Sequence, residues 1–295
     1  MENRKKRFGD RRDAYKVRNV DGIHKFLWRL KPRRNDSEVY INRKIDVDAL
    51  VKYVEKKKKE NPEFKLTYFH AFSTAIARTV YNRPLLNRFL IKGNYYDRNN
   101  VTLSFVAKTA FEDGAKENLT VVHALEDDNI NTLGKKMTES VQKVRSNSNN
   151  STDDFVDNLA KLPNWLFAFC VGIVKFLDNH DWLPSSVTDN SIYHSSILIS
   201  NLGSIKCGAI YHNLTNFGTN SILITMGEIK DEPYVNEKGK VEIHKFCEFG
   251  ITLDERIADG FYYAQSVNML EYIIKHPEML EESVSEKVIQ EENSK

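Results

Sequence analysis

The chain has 295 residues, of which 41% are hydrophobic and 11% aromatic, and this mixture excludes an intrinsically disordered protein. Its most apolar run, Trp165 to Val174, is ten residues long, far short of the roughly 20 residues of a transmembrane helix, so we expect no integral membrane protein. The net charge is only +2, but residues 1–34 hold 13 basic and 4 acidic residues, while residues 271–295 hold 3 basic and 7 acidic ones.

Both ends of the chain are charged, with opposite sign. Residues 1–37 are interpreted as a basic N-terminal arm that is solvated and partly ordered, although a stretch such as RKKRFGDRR can also contact nucleic acid or anionic lipid. Asp10 and Asp13 interrupt the arm and no further basic stripe follows, which argues against a nucleic-acid partner. Residues 281–295 form an acidic C-terminal tail.

The middle of the chain alternates between helix and strand signals. In chain order the patterns predict a strand at EVYINRKI (38–45), a helix capped by Asp46, a helix from about Thr67 that stops before Pro84, strands at VTLSFVAK and LTVVHALE, an amphipathic helix over 130–144, a loop at SNSNNST (146–152) and an apolar helix through 155–177. The aromatic, nearly uncharged surface of this last helix predicts packing against the core or a neighbouring subunit.

The C-terminal part is rich in strands. The patterns predict strands at SSILIS, SILITMGEI and KVEIHKFCEFGITL, a hairpin turn at Asn236 to Gly239, and a last helix from about Phe261 to Lys275. Early helices followed by hairpin-connected strands indicate an α+β fold, with helices packed on a mixed or largely antiparallel sheet. GxGxxG and GxxxxGK[ST] are both absent, so those nucleotide-binding loops are not predicted.

The three cysteines predict neither a disulfide framework nor a metal site. Cys170, Cys207 and Cys247 lie far apart without a CxxC pair, so we expect no metal. The first residues also lack the apolar run of a signal peptide. Together these features indicate a reducing, cytoplasmic location.

Five blocks occur in an order that matches a known family: IDVDALVKYVEKKK, KLTYFHAFSTAIARTVYNRPLLNRF, ILISNLGSI, ILITMGEIKDEPYVNEKGKVEI and LDERIADGF. With them the chain resembles the catalytic domain of the 2-oxoacid dehydrogenase dihydrolipoamide acyltransferases, and more distantly chloramphenicol acetyltransferase. The resemblance implies an acyltransferase-like domain over residues 38–280, a sandwich-like α+β subunit that assembles as a homotrimer or a multiple of it. It also implies active sites at the trimer interfaces, with a tunnel entered by acyl-CoA from one side.

The resemblance also assigns candidate site residues. The family's acyltransferases carry a His-x-x-x-Asp-Gly motif, whose histidine takes the proton from a thiol that attacks a thioester. Asp259 and Gly260 match the end of that motif, and Ser200 matches the hydroxyl that donates a hydrogen bond to the oxyanion. Glu255 stands where the histidine is expected. The resemblance identifies no coenzyme A-binding residues in this chain.

A glutamate is a weak substitute for histidine. Because reference pKa values are near 8.5 for a thiol and 4.3 for a glutamate, the proton transfer is uphill by on the order of 5 to 6 kcal/mol. Burial could raise the carboxylate's pKa, whereas Arg256, if it pointed at Glu255, would oppose that. His212, twelve residues after Ser200, is a candidate relocated base, with a structural role as the alternative. His194 is interpreted as a packed core histidine.

Two functions follow. The first is an acyltransferase that moves an acyl group between a coenzyme A thioester and an unknown acceptor, with an altered base. The alternative is a catalytically silent relative that acts as a scaffold or binds acyl-CoA. The 37 residues before Glu38 are too few for a lipoyl domain, so lipoamide would have to come from another chain.

Overall fold

The computed structural model describes residues 4–108, 117–146 and 161–290. Its strands are β1 Ala14–Lys16, β2 Glu38–Asp46, β3 Arg88–Ile91, β4 Asn94–Arg98, β5 Val101–Lys108, β6 Glu117–Ala124, β7 Ile197–Asn201, β8 Ile222–Met226, β9 Lys230–Val235 and β10 Val241–Asp254. Its α-helices are α1 Gly22–Leu30, α2 Asp48–Glu60, α3 Tyr68–Asn82, α4 Ile130–Ser146, α5 Asn164–Asn179, α6 Ser185–Thr188 and α7 Gly260–Lys275.

The strands form a large mixed sheet and a small antiparallel one. The large sheet has the order β2-β10-β8-β7-β5-β6, and β9 pairs with the first half of β10. β7 runs parallel to both β5 and β8, whereas the other pairs are antiparallel. The small sheet has the order β1-β4-β3. The predicted α+β fold with a mixed sheet is confirmed.

One face of the large sheet carries the core. Alternate residues of β10, namely Phe249, Ile251 and Leu253, join a buried apolar cluster with residues of α2, α3, α4 and α7. The intervening Gly250 and Thr252 therefore point to the opposite face, since side chains alternate along a strand. Residues 207–218 run along that second face, where the backbone oxygen of Ile210 lies 2.3 Å from where a Gly250 Cβ would be.

The helix starts follow from local sequence. Thr67 caps α3 by accepting a hydrogen bond from the backbone N–H of His70 at 3.2 Å, and the His70 ring accepts one from Thr67 N at 3.3 Å. Asp46 was predicted to cap α2, but the cap position is Val47. The Asp46 carboxylate nonetheless accepts the hydrogen bond of Asp48 N at 3.0 Å, so it satisfies one of the free donors at that helix start.

The N-terminal arm is more structured than the sequence predicts. Residues 14–16 extend the small sheet, and residues 22–30 form α1, which Asp21 caps. No residue of α1 is buried within the chain. Residues 14–16 and 22–30 are thus the ordered part of the predicted arm, because backbone pairing with β4 and a side-chain cap order them. The arm is not solvated throughout, since Arg11, Ala14 and Arg34 are buried.

Helix α5 does not enter the core. Asp178 is its one buried residue, so the expected packing against the core is wrong for a single chain, and packing against a neighbouring subunit stays a prediction. The part of the predicted apolar helix before residue 161 lies outside the described residues, and so do residues 147–152 of the predicted loop. In the described ranges, no helix combines the length and apolarity needed to cross a membrane.

Candidate functional site

The loop LDERIADGF is held by a buried ion pair at the end of β10. Arg256 is 2% exposed and Asp254 0%. The Arg256 guanidinium donates two hydrogen bonds to the Asp254 carboxylate, from Nε at 2.8 Å and from Nη2 at 2.7 Å. Its remaining Nη1 donates to the backbone oxygens of Lys31 and Pro32, both at 3.0 Å. The pair therefore connects the loop to the chain segment after α1.

Two further buried side chains complete this clamp, defined here as Arg34, Asp254, Arg256 and Tyr263. The Tyr263 hydroxyl donates to the backbone oxygen of Asp254 at 2.6 Å, and Arg34 Nε lies 3.8 Å from the Asp254 carboxylate. Burial lowers the pKa of Arg34 to about 10, although the nearby Asp254 opposes this shift. Arg34 thus stays charged at neutral pH, and Asp254 lies between two cations.

Glu255 points away from the clamp. Its carboxylate forms an ion pair with Lys31, and the two side chains are 40% and 38% exposed, respectively. Its backbone N–H donates to the Ser37 oxygen at 2.8 Å. Arg256 does not face the Glu255 carboxylate. Residues i and i+2 share a face at a strand end, so Arg256 contacts Asp254 instead.

The end of the motif starts a helix. Asp259 is the N-cap of α7 and accepts a hydrogen bond from Tyr262 N at 2.7 Å. Gly260 is the first residue of the helix, and both residues are exposed. The motif's aspartate therefore has a structural role within this chain as a helix cap, which also fixes where the loop ends.

Ser200 lies near the C-terminal end of β7, half-buried, beside Thr225 of β8. Among the described residues its hydroxyl has no hydrogen-bond partner, whereas Thr225 Oγ1 contacts the Ile210 backbone. If the serine had only a structural role, its hydroxyl would form a hydrogen bond with a backbone group left unpaired at the end of β7. The oxyanion role of Ser200, which the resemblance implies, stays a prediction.

The strand directions separate Ser200 from Glu255 within one chain. Ser200 pairs with Thr225, which pairs with Gly250 of β10, so Ser200 lies level with Gly250. Glu255, the first residue after β10, is five residues beyond Gly250. This corresponds to about 17 Å along the strand direction and about 10 Å across two strand spacings. The two residues are thus about 19 Å apart, so a site that uses both requires two copies of the chain.

His212 lies on the segment that crosses from the Ser200 end of the sheet toward the Glu255 end. Two residues later, Leu214 N donates to the Glu38 carboxylate at 2.7 Å, and Glu38 pairs with Asp254. His212 itself is exposed, and its Nδ1 lies 3.1 Å from the backbone oxygen of Asn213. The structure brings His212 to neither Ser200 nor Glu255 through a hydrogen bond.

Sequence reasoning missed Lys31, Arg34 and the partner of Arg256. Lys31 and Arg34 are 224 and 220 positions before the residues they contact. No local pattern reveals such pairs. One available signal was the alternation in DER, which puts Asp254 and Arg256 on one side and Glu255 on the other.

A potential metal-ligand cluster lies elsewhere, at the start of α2. Among the described residues, ligand atoms of Asp46, Asp48 and His244 lie within 4.8 Å of one another. His244 Nδ1 contacts Asp46 at 2.6 Å, and this hydrogen bond raises the pKa of His244. Asp48 also accepts the backbone N–H of Lys245 at 3.0 Å. These hydrogen bonds account for the cluster as a tie between β10 and the α2 start, so we assign it no metal.

His194 is buried, as predicted, and it contacts helix α5. Its Nε2 lies 2.8 Å from the Asp178 carboxylate, whose other oxygen accepts Gly218 N at 3.1 Å. The buried end of α5 is thus fixed to the turn that precedes β7.

The family follows from comparison of the sequence and the fold with known proteins. Residues 30–157 and 184–281 match the family model described as 2-oxoacid dehydrogenases acyltransferase (catalytic domain). The chain belongs to this family. A search of curated proteins by sequence gave no match. In this acyltransferase family member, residues 1–29, 158–183 and 282–295 lie outside the matched ranges.

Solved structures show the same fold. A probable dihydrolipoamide acetyltransferase from Listeria monocytogenes is similar at 14% identity and a TM-score of 0.60, over 88% of this chain and 94% of that one. The cubic core of the pyruvate dehydrogenase multienzyme complex has 14% identity and a TM-score of 0.59, over 88% and 92%. A chloramphenicol acetyltransferase has 13% identity and a TM-score of 0.51, over 89% and 100%.

Proposed function

We propose that the chain transfers an acyl group between a coenzyme A thioester and an acceptor, with Glu255 as the proton acceptor. Membership of the acyltransferase family supports this reaction class. One observation carries the proposal: Asp254 and Arg256 fix the backbone on both sides of Glu255 through a buried ion pair, yet the Glu255 carboxylate remains accessible. The base position is thus rigid and open.

The proposed step conserves protons and electrons. The acceptor X–H attacks the thioester carbonyl carbon, and Glu255 takes the proton. The carbonyl oxygen becomes an oxyanion, which the Ser200 hydroxyl of a second copy stabilises by donating a hydrogen bond. The C–S bond then breaks, and the leaving CoA thiolate takes the proton from Glu255, so the carboxylate is regenerated.

The carboxylate limits which acceptors suit the site. An ordinary thiol would have to give its proton to a group that is about 4 pK units less basic. An amine loses its proton only after it has attacked the carbonyl carbon, and a thiol of low pKa loses it readily. We therefore propose one of these as the acceptor, with lipoamide included only if another chain supplies it.

The proposal requires an assembly. Ser200 and Glu255 are about 19 Å apart in one chain by strand spacing, so the site forms between copies. A similar fold builds the cubic core of the pyruvate dehydrogenase complex. We propose a homotrimer or a multiple of three, the assembly that the family resemblance implies. In such a ring each copy gives Ser200 to one neighbour and Glu255 to the other.

A second candidate function is acyl-CoA binding or scaffolding without transfer. The Lys31–Glu255 ion pair favours it, since the carboxylate already has a partner and this contact must break before Glu255 can approach an acceptor. In this case the clamp and the cap preserve the fold and the binding surface, while the motif residue no longer reacts.

Thioester consumption by four purified proteins tests these functions. Wild type, Glu255→Gln, Glu255→His and Ser200→Ala are assayed with several acyl-CoAs and with an amine, a small thiol and an alcohol as acceptors. If Glu255 is the working base, wild type is active, and Glu255→Gln and Ser200→Ala each lose about 10²-fold or more.

The opposite pattern supports a protein without catalytic activity. If only Glu255→His consumes thioester, the other site residues are intact and the wild-type chain is a binding protein. Calorimetry with acyl-CoA then measures that binding. If Glu255→Gln and Ser200→Ala both match an active wild type, the reaction occurs elsewhere and the assignment of both residues is wrong.

A further inference from the structure

Two of the three segments outside the family match, residues 1–29 and 158–183, contact each other. Arg11 and Arg12 of the arm contact the C-terminal end of α5. Arg11 Nη1 donates to the backbone oxygen of Asp178 at 3.2 Å, and the backbone N–H of Arg12 donates to the Asp181 carboxylate at 2.6 Å. Arg11 also forms an ion pair with Asp181 at 3.4 Å. Residues 4–18 and 164–182 therefore form one unit, here called the arm–helix unit, which the family model does not cover.

Helix α5 presents large apolar side chains to solvent. At 100° per residue they fall within an arc of about 80°. The exposed fractions are 73% for Trp165, 62% for Phe169, 44% for Ile173 and 52% for Phe176. Trp182, just after the helix, is 63% exposed. An exposed stripe with a tryptophan at each end is typical of helices that lie in the interface of a bilayer.

The arm adds positive charge and one more apolar side chain at the same end. Residues 4–18 hold eight basic and two acidic residues. Phe8 is 100% exposed. Lys92 adds a further cation beside the helix, since its Nζ lies 5.8 Å from the centre of the Phe176 ring. The unit thus combines an apolar stripe with a cationic flank.

This charge distribution selects among possible partners. In a symmetric contact between two copies through this face, the two basic arms would come together and repel each other. A surface of anionic phospholipid neutralises the arm and buries the stripe at the same time. A nucleic acid would neutralise the arm but leave Trp165, Phe169 and Ile173 in water.

We propose that the arm–helix unit docks the protein on an anionic phospholipid bilayer. Helix α5 lies in the plane of the headgroups with its exposed stripe inserted, and Phe8 inserts beside it. The arm's exposed lysines and arginines contact the lipid phosphates, whereas Arg11 is buried against α5. Docking is reversible and salt-dependent, since the contacts of the arm are electrostatic.

Vesicle flotation with the full chain tests the proposal, using phosphatidylcholine vesicles with and without phosphatidylserine. We expect wild type to float with the anionic vesicles and to be released by high salt. Lys5→Glu plus Arg7→Glu changes exposed arm residues without a side-chain partner among the described residues and should weaken binding about 30-fold. Trp165→Glu plus Phe169→Glu should weaken it more than tenfold.

A matched control separates the stripe from a general charge effect. Val235→Glu plus Val241→Glu makes the same charge change at side chains of the β9–β10 hairpin that are 62% and 66% exposed, and it should float like wild type. Thermal unfolding by circular dichroism checks the fold of each variant. If the helix variant does not fold, the arm variant and the salt series decide the question.

Two outcomes would overturn the proposal. One is a wild type that does not float with anionic vesicles, and the other is equal flotation by the wild type, arm and helix variants. If wild type does not float and the Trp165→Glu plus Phe169→Glu variant forms a smaller oligomer in light scattering, the stripe belongs to a contact between copies.

Discussion

Replacing Arg256 by leucine should destabilise the fold far more than changing the neighbouring Glu255 to glutamine. Arg256→Leu removes two buried hydrogen bonds from the guanidinium to Asp254. It also removes two part-buried hydrogen bonds from the guanidinium to the backbone oxygens of Lys31 and Pro32. Two contacts of the Asp254 carboxylate would remain in the variant. They are the hydrogen bond from the backbone N–H of residue 256, at 3.2 Å, and the ion pair with Arg34, at 3.8 Å. Glu255→Gln breaks only a half-exposed pair.

The magnitudes differ because of burial. Removing one partner of a buried pair leaves an uncompensated charge and costs about 3–5 kcal/mol. The remaining Arg34 compensates Asp254 in part, so we expect about 3 kcal/mol for Arg256→Leu. An exposed pair contributes roughly 0–1 kcal/mol. In the double variant Asp254→Asn plus Arg256→Leu, the orphaned charge is absent, so its cost should be less than the sum of the single costs.

Urea unfolding followed by circular dichroism measures these differences, at one fixed protomer concentration because assembly shifts apparent stability. An Arg256→Leu variant within about 1 kcal/mol of wild type would contradict the clamp. So would a Glu255→Gln variant that loses as much stability as Arg256→Leu.

Three further predictions concern assembly, acid stability and thiol reactivity. Light scattering at micromolar concentration should show a multiple of three copies, and a stable monomer would contradict a site that joins Ser200 to Glu255. Burial lowers the pKa of His70 to about 4. The neutral ring therefore contributes fully to stability above pH 6.5, and roughly 3 kcal/mol of stability is lost as the pH falls toward 4. His70→Gln should reduce this loss in urea unfolding measured at several pH values, and an unchanged pH dependence would refute the prediction. Burial also raises the pKa of the Cys247 thiol to about 12; iodoacetamide should therefore label the exposed Cys207 and leave Cys247 unmodified in the folded protein, and rapid labelling of Cys247 would contradict its burial.

The sequence predicts the large sheet and its helices because their signals are local. Strands β2 and β10 alternate apolar and polar residues, and α3 begins at a threonine that caps it. The small sheet gives no such signal. Its β1 has three residues, and it pairs with β4 about 80 positions later, so only the tertiary fold defines it.

The candidate site was predictable in part. The motif frame located Glu255, Asp259 and Ser200, but it could not show that Lys31 pairs with Glu255, since this contact depends on where α1 ends in space. The separation of Ser200 from Glu255 depends on strand direction, which hydrophobic patterns do not encode. Sequence patterns alone therefore cannot show that a site with both Ser200 and Glu255 requires two copies of the chain. Before the topology is known, only the family resemblance implies it.

The alternation in the motif loop makes its chemistry separable from its stability. Asp254 and Arg256 face inward and hold the loop, Asp259 caps α7, and Glu255 faces outward between them. The stabilising residues do not include residue 255, so a substitution at this position should cost little in folding. The loop and its helix cap would be retained whether or not the chain transfers acyl groups. Retention of the loop is therefore no measure of activity, and only a substitution at residue 255 itself distinguishes the proposed acyltransferase from the proposed binding protein.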